Sequence, residues 1–402
     1  LFVYAVKQYP ENNFLNFKRD SRWHSFTSAE MIERFENLAL GLYSLGLQKG
    51  DREAILARNS PEWTITDAGC QFAGIVDVPI YTTLAPESVE YILRDSGARV
   101  LFLEDRASHD DLQVAISNAP DIEKVVYFQG KSIEADTLSF EQLLVHGREI
   151  KAGRMGLIDE LSSAVSPDDV ATLIYTSGTT GEPKGVVLTH ACIISNVIDC
   201  GEKYDFSVHD ISLSVLPLSH IFERSAMYLY FYHGMSVHYA ESVDKVPENL
   251  AEVRPTILIG VPRIFEKVYA KAKLKSSEAG GVREKIFDWA IDVAKTYALR
   301  IEKNETIPIG LKLSHAIADK FVYAKLREFF GGRLRACLTG GAALADDIYL
   351  IFHGAGVPIL QGYGLTETSP VLTSNNPEAS RLGSVGKPIR NVQVRIAEDG
   401  EI

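Results

Sequence analysis

Apolar positions along the chain follow two periods that alternate. From Ser28 to Leu45, Ile32, Phe35, Leu38, Ala39 and Leu42 share one helical face. Ser28 is placed to cap this helix, with Met31 at the capping-box position, so the box is incomplete; Gly46 and Gly50 end it. A strand over Glu53–Ala57 follows, then a helix opening at Pro61-Glu62-Trp63, a strand over Ile75–Ile80, a helix over Val89–Ser96 and a strand over Arg99–Leu103. The alternation resumes near Ser166. Strands are expected at Ala171–Tyr175, Ile211–Val215, Ser236–Tyr239, Thr256–Gly260, Leu334–Thr339 and Pro358–Gln361. The stretch Ser225–Ala240 lacks Lys, Arg, Asp and Glu but is too short and too polar to span a bilayer, which takes about 20 apolar residues. It reads as a core helix followed by a strand.

Strands alternating with helices at this spacing predict an α/β fold: two packed α/β subdomains with mostly parallel sheets. The expected boundaries are residues 1–165 for the first subdomain and 166–380 for the second. From residue 381 to 402 the text turns to short β with turns, Gly386-Lys387-Pro388 and Asp399-Gly400, which predicts the start of a small β-barrel subdomain.

Composition changes this picture little, and charge changes it more. The 46 % hydrophobic and 23 % charged fractions of the 402 residues are ordinary for a globular chain and argue against disorder, collagen or coiled coil. A net charge of −12, from 41 Lys+Arg and 53 Asp+Glu, argues against nucleic acid as a partner. The charge is unevenly spread: the helix-rich segment 263–335 holds 16 basic and 9 acidic residues, a net of +7, and leaves −19 for the remainder. That segment reads either as a solvated helical excursion or as a basic face for anionic phospholipid or a polyphosphate ligand. Cys70, Cys192, Cys200 and Cys337 form no C-x-x-C pair, and scattered thiols suit a reducing cytosol. No signal-peptide pattern opens the chain, so a cytoplasmic location is expected, and the basic segment 263–335 suggests peripheral contact with the cytoplasmic membrane face. The chain begins at Leu1 and stops at Asp399-Gly400-Glu401-Ile402, a turn entering an apolar residue; the expectation is a piece of a larger protein.

Candidate chemistry concentrates in Tyr175-Thr176-Ser177-Gly178-Thr179-Thr180-Gly181-Glu182-Pro183-Lys184-Gly185. A strand delivers the chain into this loop. Its glycines let the backbone approach a ligand closely, and its hydroxyls and N–H groups can donate to phosphate oxygens. Lys184 adds a mobile positive charge. A strand over Val186–Leu188 leads out, with Thr189 capping the next helix. The order of glycines and lysine is not that of a Walker A loop, and no helix starts at the lysine. A second cluster is Gln361-Gly362-Tyr363-Gly364-Leu365-Thr366-Glu367-Thr368. Tyr363 offers a flat face for a base, Thr366 a hydroxyl for phosphate and Glu367 a hard oxygen for Mg²⁺. Gly340-Gly341-Ala342-Ala343-Leu344 makes a small-residue turn after the strand Leu334–Thr339.

The loop around Lys184 resembles the signature phosphate loop of the adenylate-forming superfamily, and the cluster around Tyr363 resembles its second core motif. Three further stretches resemble long-chain fatty acyl-CoA synthetases: Leu216-Pro217-Leu218-Ser219-His220-Ile221-Phe222-Glu223-Arg224, Val261-Pro262-Arg263-Ile264-Phe265-Glu266-Lys267-Val268-Tyr269, and Arg58-Asn59-Ser60-Pro61-Glu62-Trp63 with Val78-Pro79-Ile80-Tyr81. The resemblance covers essentially the whole chain, as the large adenylation domain of such an enzyme. It implies that a fatty acid and Mg·ATP give an acyl-adenylate, from which coenzyme A displaces AMP. Lys184, Thr366 and Glu367 would be catalytic, with Glu367 on the metal. Thr176, Ser177, Gly178, Thr179, Thr180, Gly181, Lys184, Gly340, Gly341, Ala342, Gln361, Gly362, Tyr363, Gly364 and Thr366 would hold the nucleotide, with His220 and Gly260 at the acyl end. A carboxylate is already a nucleophile at pH 7, so His220 is assigned positioning or gating. Glu223 and Arg224 read as an ion pair on the helix that follows it. The family's ribose-binding Asp and its small C-terminal domain with the catalytic Lys do not appear before Ile402, so this chain alone is expected to be impaired. Two alternatives stay open: a fatty acyl-AMP ligase that loads a carrier protein, and a non-catalytic nucleotide- or lipid-binding module.

Overall fold

The computed structural model describes every residue except 11, 12, 133 and 177–180. The chain divides into two units by contact. One holds residues 1–198, 216–234 and 366–370; the other holds 199–215, 235–365 and 371–402.

The first unit is built on a seven-stranded sheet. Its order is Thr137–Ser139, Lys124–Tyr127, Val100–Leu103, Arg52–Leu56, Val76–Pro79, Val170–Thr176 and Lys184–Thr189. All neighbours are parallel except the last pair, a hairpin in which Thr176 pairs with Lys184 and Tyr175 with Gly185. The central strands are buried on both faces, as expected of a parallel sheet covered by helices. The helix Ser28–Ser44 begins where its apolar period predicts, but its cap lies one residue earlier than expected. Thr27 is its cap, and Glu30 completes the box: Glu30 N–H donates to Thr27 Oγ1 at 3.2 Å and Thr27 N–H to Glu30 Oε2 at 2.8 Å. The expected Ser28 cap is thereby corrected. Ser28 Oγ instead donates to the Tyr9 carbonyl at 2.7 Å.

The helix Ile221–Tyr232 is gripped by an aromatic cluster of the first unit. Phe231 stacks on Phe14 with ring centres 4.9 Å apart and meets Phe2 edge-on at 5.3 Å; Phe2 in turn lies 5.0 Å from Phe35. The chain leaves the helix through Gly234 at φ +65°, where a Cβ would lie 2.5 Å from the Tyr9 ring. Close packing and left-handed backbone both require glycine there.

The second unit carries five parallel strands in the order Ser236–Tyr239, Ile211–Ser214, Ile257–Gly260, Ala336–Thr339 and Ile359–Gly364. Val371–Ser374 and Lys387–Pro388 add antiparallel strands at one end. Lys387–Pro388 is the last strand among the described residues, and no closed barrel is formed. Helices Pro262–Ala279, Gly281–Glu302 and Ile309–Ala318 make up the basic segment. No helix among the described residues is long and apolar enough to cross a membrane.

Candidate active site

In the first unit the ladder itself frames the phosphate loop. Thr176 ends one strand and Lys184, exposed, begins its antiparallel partner, and the two pair with each other. Ser177, Gly178, Thr179 and Thr180 lie outside the described residues; Gly181 has φ +100°, the left-handed region glycine favours. Tyr175 anchors the loop from behind. Its hydroxyl donates to Asp95 at 2.6 Å, and its ring fills the space a side chain at Gly185 would need. Burial and the Asp95 charge push the Tyr175 hydroxyl up, so it stays a donor.

The strand Lys184–Thr189 continues into the helix His190–Gly201, capped by Thr189 Oγ1 accepting from Cys192 N–H at 3.2 Å. Asn196 of that helix donates to the Thr368 carbonyl at 3.3 Å. It thereby ties down the short 3₁₀ turn Thr366–Thr368, which packs beside the strand that Lys184 opens. Lys184, Thr366 and Glu367, remote in sequence, thus belong to one unit. Glu367 is exposed.

His220 is in the same unit. It is the N-cap of Ile221–Tyr232, its Nδ1 accepting from Phe222 N–H at 3.0 Å. Burial holds the imidazole below its usual range and keeps it neutral at pH 7. With Nδ1 used as an acceptor, the single proton of the neutral ring sits on Nε2. The loop before it is clamped by Asn59, which donates to the Leu216 carbonyl at 2.6 Å and accepts from Leu218 N–H at 2.8 Å.

Arg224, one turn after His220, is fully buried, and its ion pairs go to residues outside its own helix. Nη2 lies 2.5 Å from Asp67 Oδ1 and 2.9 Å from Asp77 Oδ2, Nε reaches Asp67 Oδ2 at 3.2 Å, and Nη1 donates to Thr172 Oγ1 at 2.7 Å. The expected Glu223–Arg224 pair is replaced by this network. Thr172 lies on the strand that delivers the phosphate loop, so the helix of His220 and that strand are joined through one guanidinium. Glu53, also fully buried, stands beside Asp77 and accepts from Cys70 Sγ at 3.3 Å. Burial first, then the Asp77 charge, pushes Glu53 well above the usual carboxylate range. Burial, only partly offset by Arg224, pushes Asp77 up to about 7.

In the second unit three strand ends align. Gly260 pairs with Thr339, and Thr339 with Gln361, so Gly260, Gly340 and Gln361 lie together at the carboxyl edge of the parallel sheet. That edge is where ligands bind in open α/β sheets. Gly341 has φ +80°, and both it and Ala342 are exposed. Gly362 and Tyr363 pair with Ser374 and Thr373; a Cβ at Gly362 would meet the Thr373 carbonyl at 3.1 Å. Buried Asn375 fixes this segment, donating to the Gln361 carbonyl at 3.1 Å and to the Ser384 carbonyl at 2.6 Å.

Sequence reasoning missed Asn59, Asn196 and Asn375, whose amides hold candidate loops to distant backbone. It also missed Glu53, Asp67 and Asp77 as partners. Their signal was present: acidic residues inside otherwise apolar strands and a buried helix.

Known proteins agree with this architecture. A long-chain-fatty-acid–CoA ligase of Mycobacterium bovis is 35 % identical over 387 residues, 95 % of this chain and 62 % of its own length. Peroxisomal long chain acyl-CoA synthetase 7 of Arabidopsis thaliana is 30 % identical over 417 residues, covering 100 % of this chain and 57 % of its own. The chain therefore spans less than two thirds of these curated relatives. A fatty acyl CoA synthetase structure from Mycobacterium tuberculosis superposes with TM-score 0.71 at 23 % identity, over 99 % of this chain and 66 % of the other. The anthranilate CoA ligase AuaEII with anthranoyl-AMP gives 0.69 at 21 %, over 100 % and 66 %. At those identities the structures carry the fold. Matched over residues 2–402, the chain belongs to the family of AMP-binding enzymes.

Proposed function

We propose that this chain is the substrate-activating part of a long-chain fatty acid–CoA ligase. In this reading it joins a fatty acid to ATP as acyl-adenylate with loss of pyrophosphate, and the complete protein passes the acyl group to coenzyme A. The observation that carries the reading is that the strand opened by Lys184 packs beside the tied-down turn Thr366–Thr368. Mobile cation, hydroxyl and carboxylate are then presented by one unit.

The fatty acid carboxylate attacks the α-phosphorus directly, so the chain's work is positioning and charge neutralisation. Lys184 and the loop donors hold the β- and γ-phosphates, and Thr366 donates to the α-phosphate. Glu367 is exposed and belongs to no group of three or more His, Cys, Asp or Glu residues able to hold a metal among the described residues. A single carboxylate of this kind fits Mg²⁺ held mainly by substrate phosphates and water, and the ion would neutralise phosphate charge there. His220 offers Nε2–H as a donor to the acyl carboxylate, consistent with positioning rather than proton transfer. Within the second unit, Gly340, Gly341, Ala342 and Gln361–Gly364 offer small-residue and aromatic surfaces, with Gly260, at the carboxyl edge of its own sheet.

The test is palmitate-dependent ATP–pyrophosphate exchange by the complete protein, with coenzyme A consumption followed separately. Lys184→Ala is expected to lower the exchange rate ~10²–10³-fold, the cost of losing one charge-stabilising donor. Exchange without coenzyme A consumption would favour an acyl-AMP ligase. No exchange, with equal nucleotide affinity in Lys184→Ala and Glu367→Ala, would leave a binding module.

A further inference from the structure

The helix Ile309–Ala318 and the turn Asp319–Tyr323 that continues it carry apolar residues on both sides, of which one side is buried and the other largely exposed. Ala318, Val322 and Tyr323 face inward and pack in a cluster with Phe287, Ala290 and Ala294. His315 Nε2 bonds the Gly354 carbonyl at 2.7 Å on the same side. The outward side carries Ile309, Leu313, Ile317 and Phe321, four residues apart, and they are 85 %, 63 %, 45 % and 54 % exposed. A surface helix ordinarily turns charge to water at such positions, so a contiguous apolar stripe there marks an interaction face.

Within the span of the stripe itself the exposed charge has one sign. Lys312 and Lys320 are exposed within its span. Asp319, the one acid between Ile309 and Phe321, is ion-paired with Arg327 at 2.6 Å. The larger segment 263–335 nets +7 in a chain of −12.

We propose that this face docks on an anionic lipid bilayer. Four apolar side chains along about three turns, ~18 Å of helix, suit the boundary between headgroups and acyl chains, and the lysines then meet the lipid phosphates. A second copy of the chain fits less well. Two-fold pairing of this face would set the same lysines against each other, while the one acid of the span is already paired with Arg327.

The experiment is co-sedimentation of the complete protein with phosphatidylcholine–phosphatidylserine vesicles and with pure phosphatidylcholine vesicles, at low and high salt. Binding is expected on the anionic vesicles, weakening with salt. Lys312→Gln and Lys320→Gln should each cost about fivefold in partition, the worth of one surface lysine. The double variant Leu313→Ser, Ile317→Ser should cost at least about tenfold through lost insertion. These positions are exposed, so a circular dichroism melt should match wild type and exclude misfolding as the cause. No sedimentation of wild type overturns the proposal, as does equal sedimentation of the double variant. Self-association abolished by the same serines would also overturn it, by assigning the face to a second copy. The assay needs no turnover, so it stands or falls separately from the proposed reaction.

Discussion

Two regions of this molecule invert the usual placement of charge. Around Arg224, charge sits where apolar side chains belong: a guanidinium, Asp67, Asp77 and Glu53 are all buried within one unit. Along Ile309–Phe321, apolar side chains sit where charge belongs. Both placements cost free energy in isolation, and they teach different things. In the buried cluster each guanidinium nitrogen finds a partner in Asp67, Asp77, Thr172 or Tyr228, and the cation fixes two elements of the candidate site to each other. The stripe is open, its four apolar side chains 45–85 % exposed. A buried charge therefore points inward, to positioning, and an exposed apolar stripe points outward, to association.

The strongest way to break this contrast is Arg224→Met. Removing the cation strands two buried carboxylates, and ~3–5 kcal/mol of stability should be lost in urea denaturation. A loss below about 1 kcal/mol would mean that the cluster is wet or dispensable. Next comes its pH response. In the folded state Glu53 and Asp77 hold protons that the unfolded chain has already released. The folded state is then the more protonated, and these groups make stability decline as pH climbs from about 4 towards 7. Asp67, Arg224 and Cys70 are the ionisable groups facing them. Glu53→Gln keeps the shape without the charge and should flatten that decline; an unchanged slope would remove Glu53 from the cluster's titration. The smallest effect belongs to the stripe: Leu313→Ser should change folding stability by no more than ~0.5 kcal/mol. A larger loss on thermal melting would show that the residue packs inside the fold.

The parallel core was legible because its strands are continuous apolar runs. Ser236–Tyr239 has the expected bounds, and Glu53–Ala57 and Ile211–Val215 moved by one residue to Arg52–Leu56 and Ile211–Ser214. The hairpin of Asn13–Arg19 with Arg22–Thr27 went unread. Its turn places Asp20 and Ser21 at φ 48° and 60° without glycine, so the usual turn signal is missing. At the candidate site, the sequence offered motif residues but not the side chains that hold their backbone. Asn59, Asn196 and Asn375 look like ordinary loop, helix and turn residues until their carbonyl partners are seen.

By itself the sequence determined the alternation of strands and helices, the Gly- and Thr-rich stretch ahead of Lys184 and the segregation of +7 into residues 263–335. These are local properties, written in period and composition. The tertiary structure alone decided which acids surround Arg224, since Asp67 lies 157 residues away along the chain. It alone decided which apolar side of Ile309–Ala318 meets the core, because a helix apolar on both sides has no local signal for the one that finds a partner. Period fixes conformation, whereas burial depends on what the rest of the chain brings alongside.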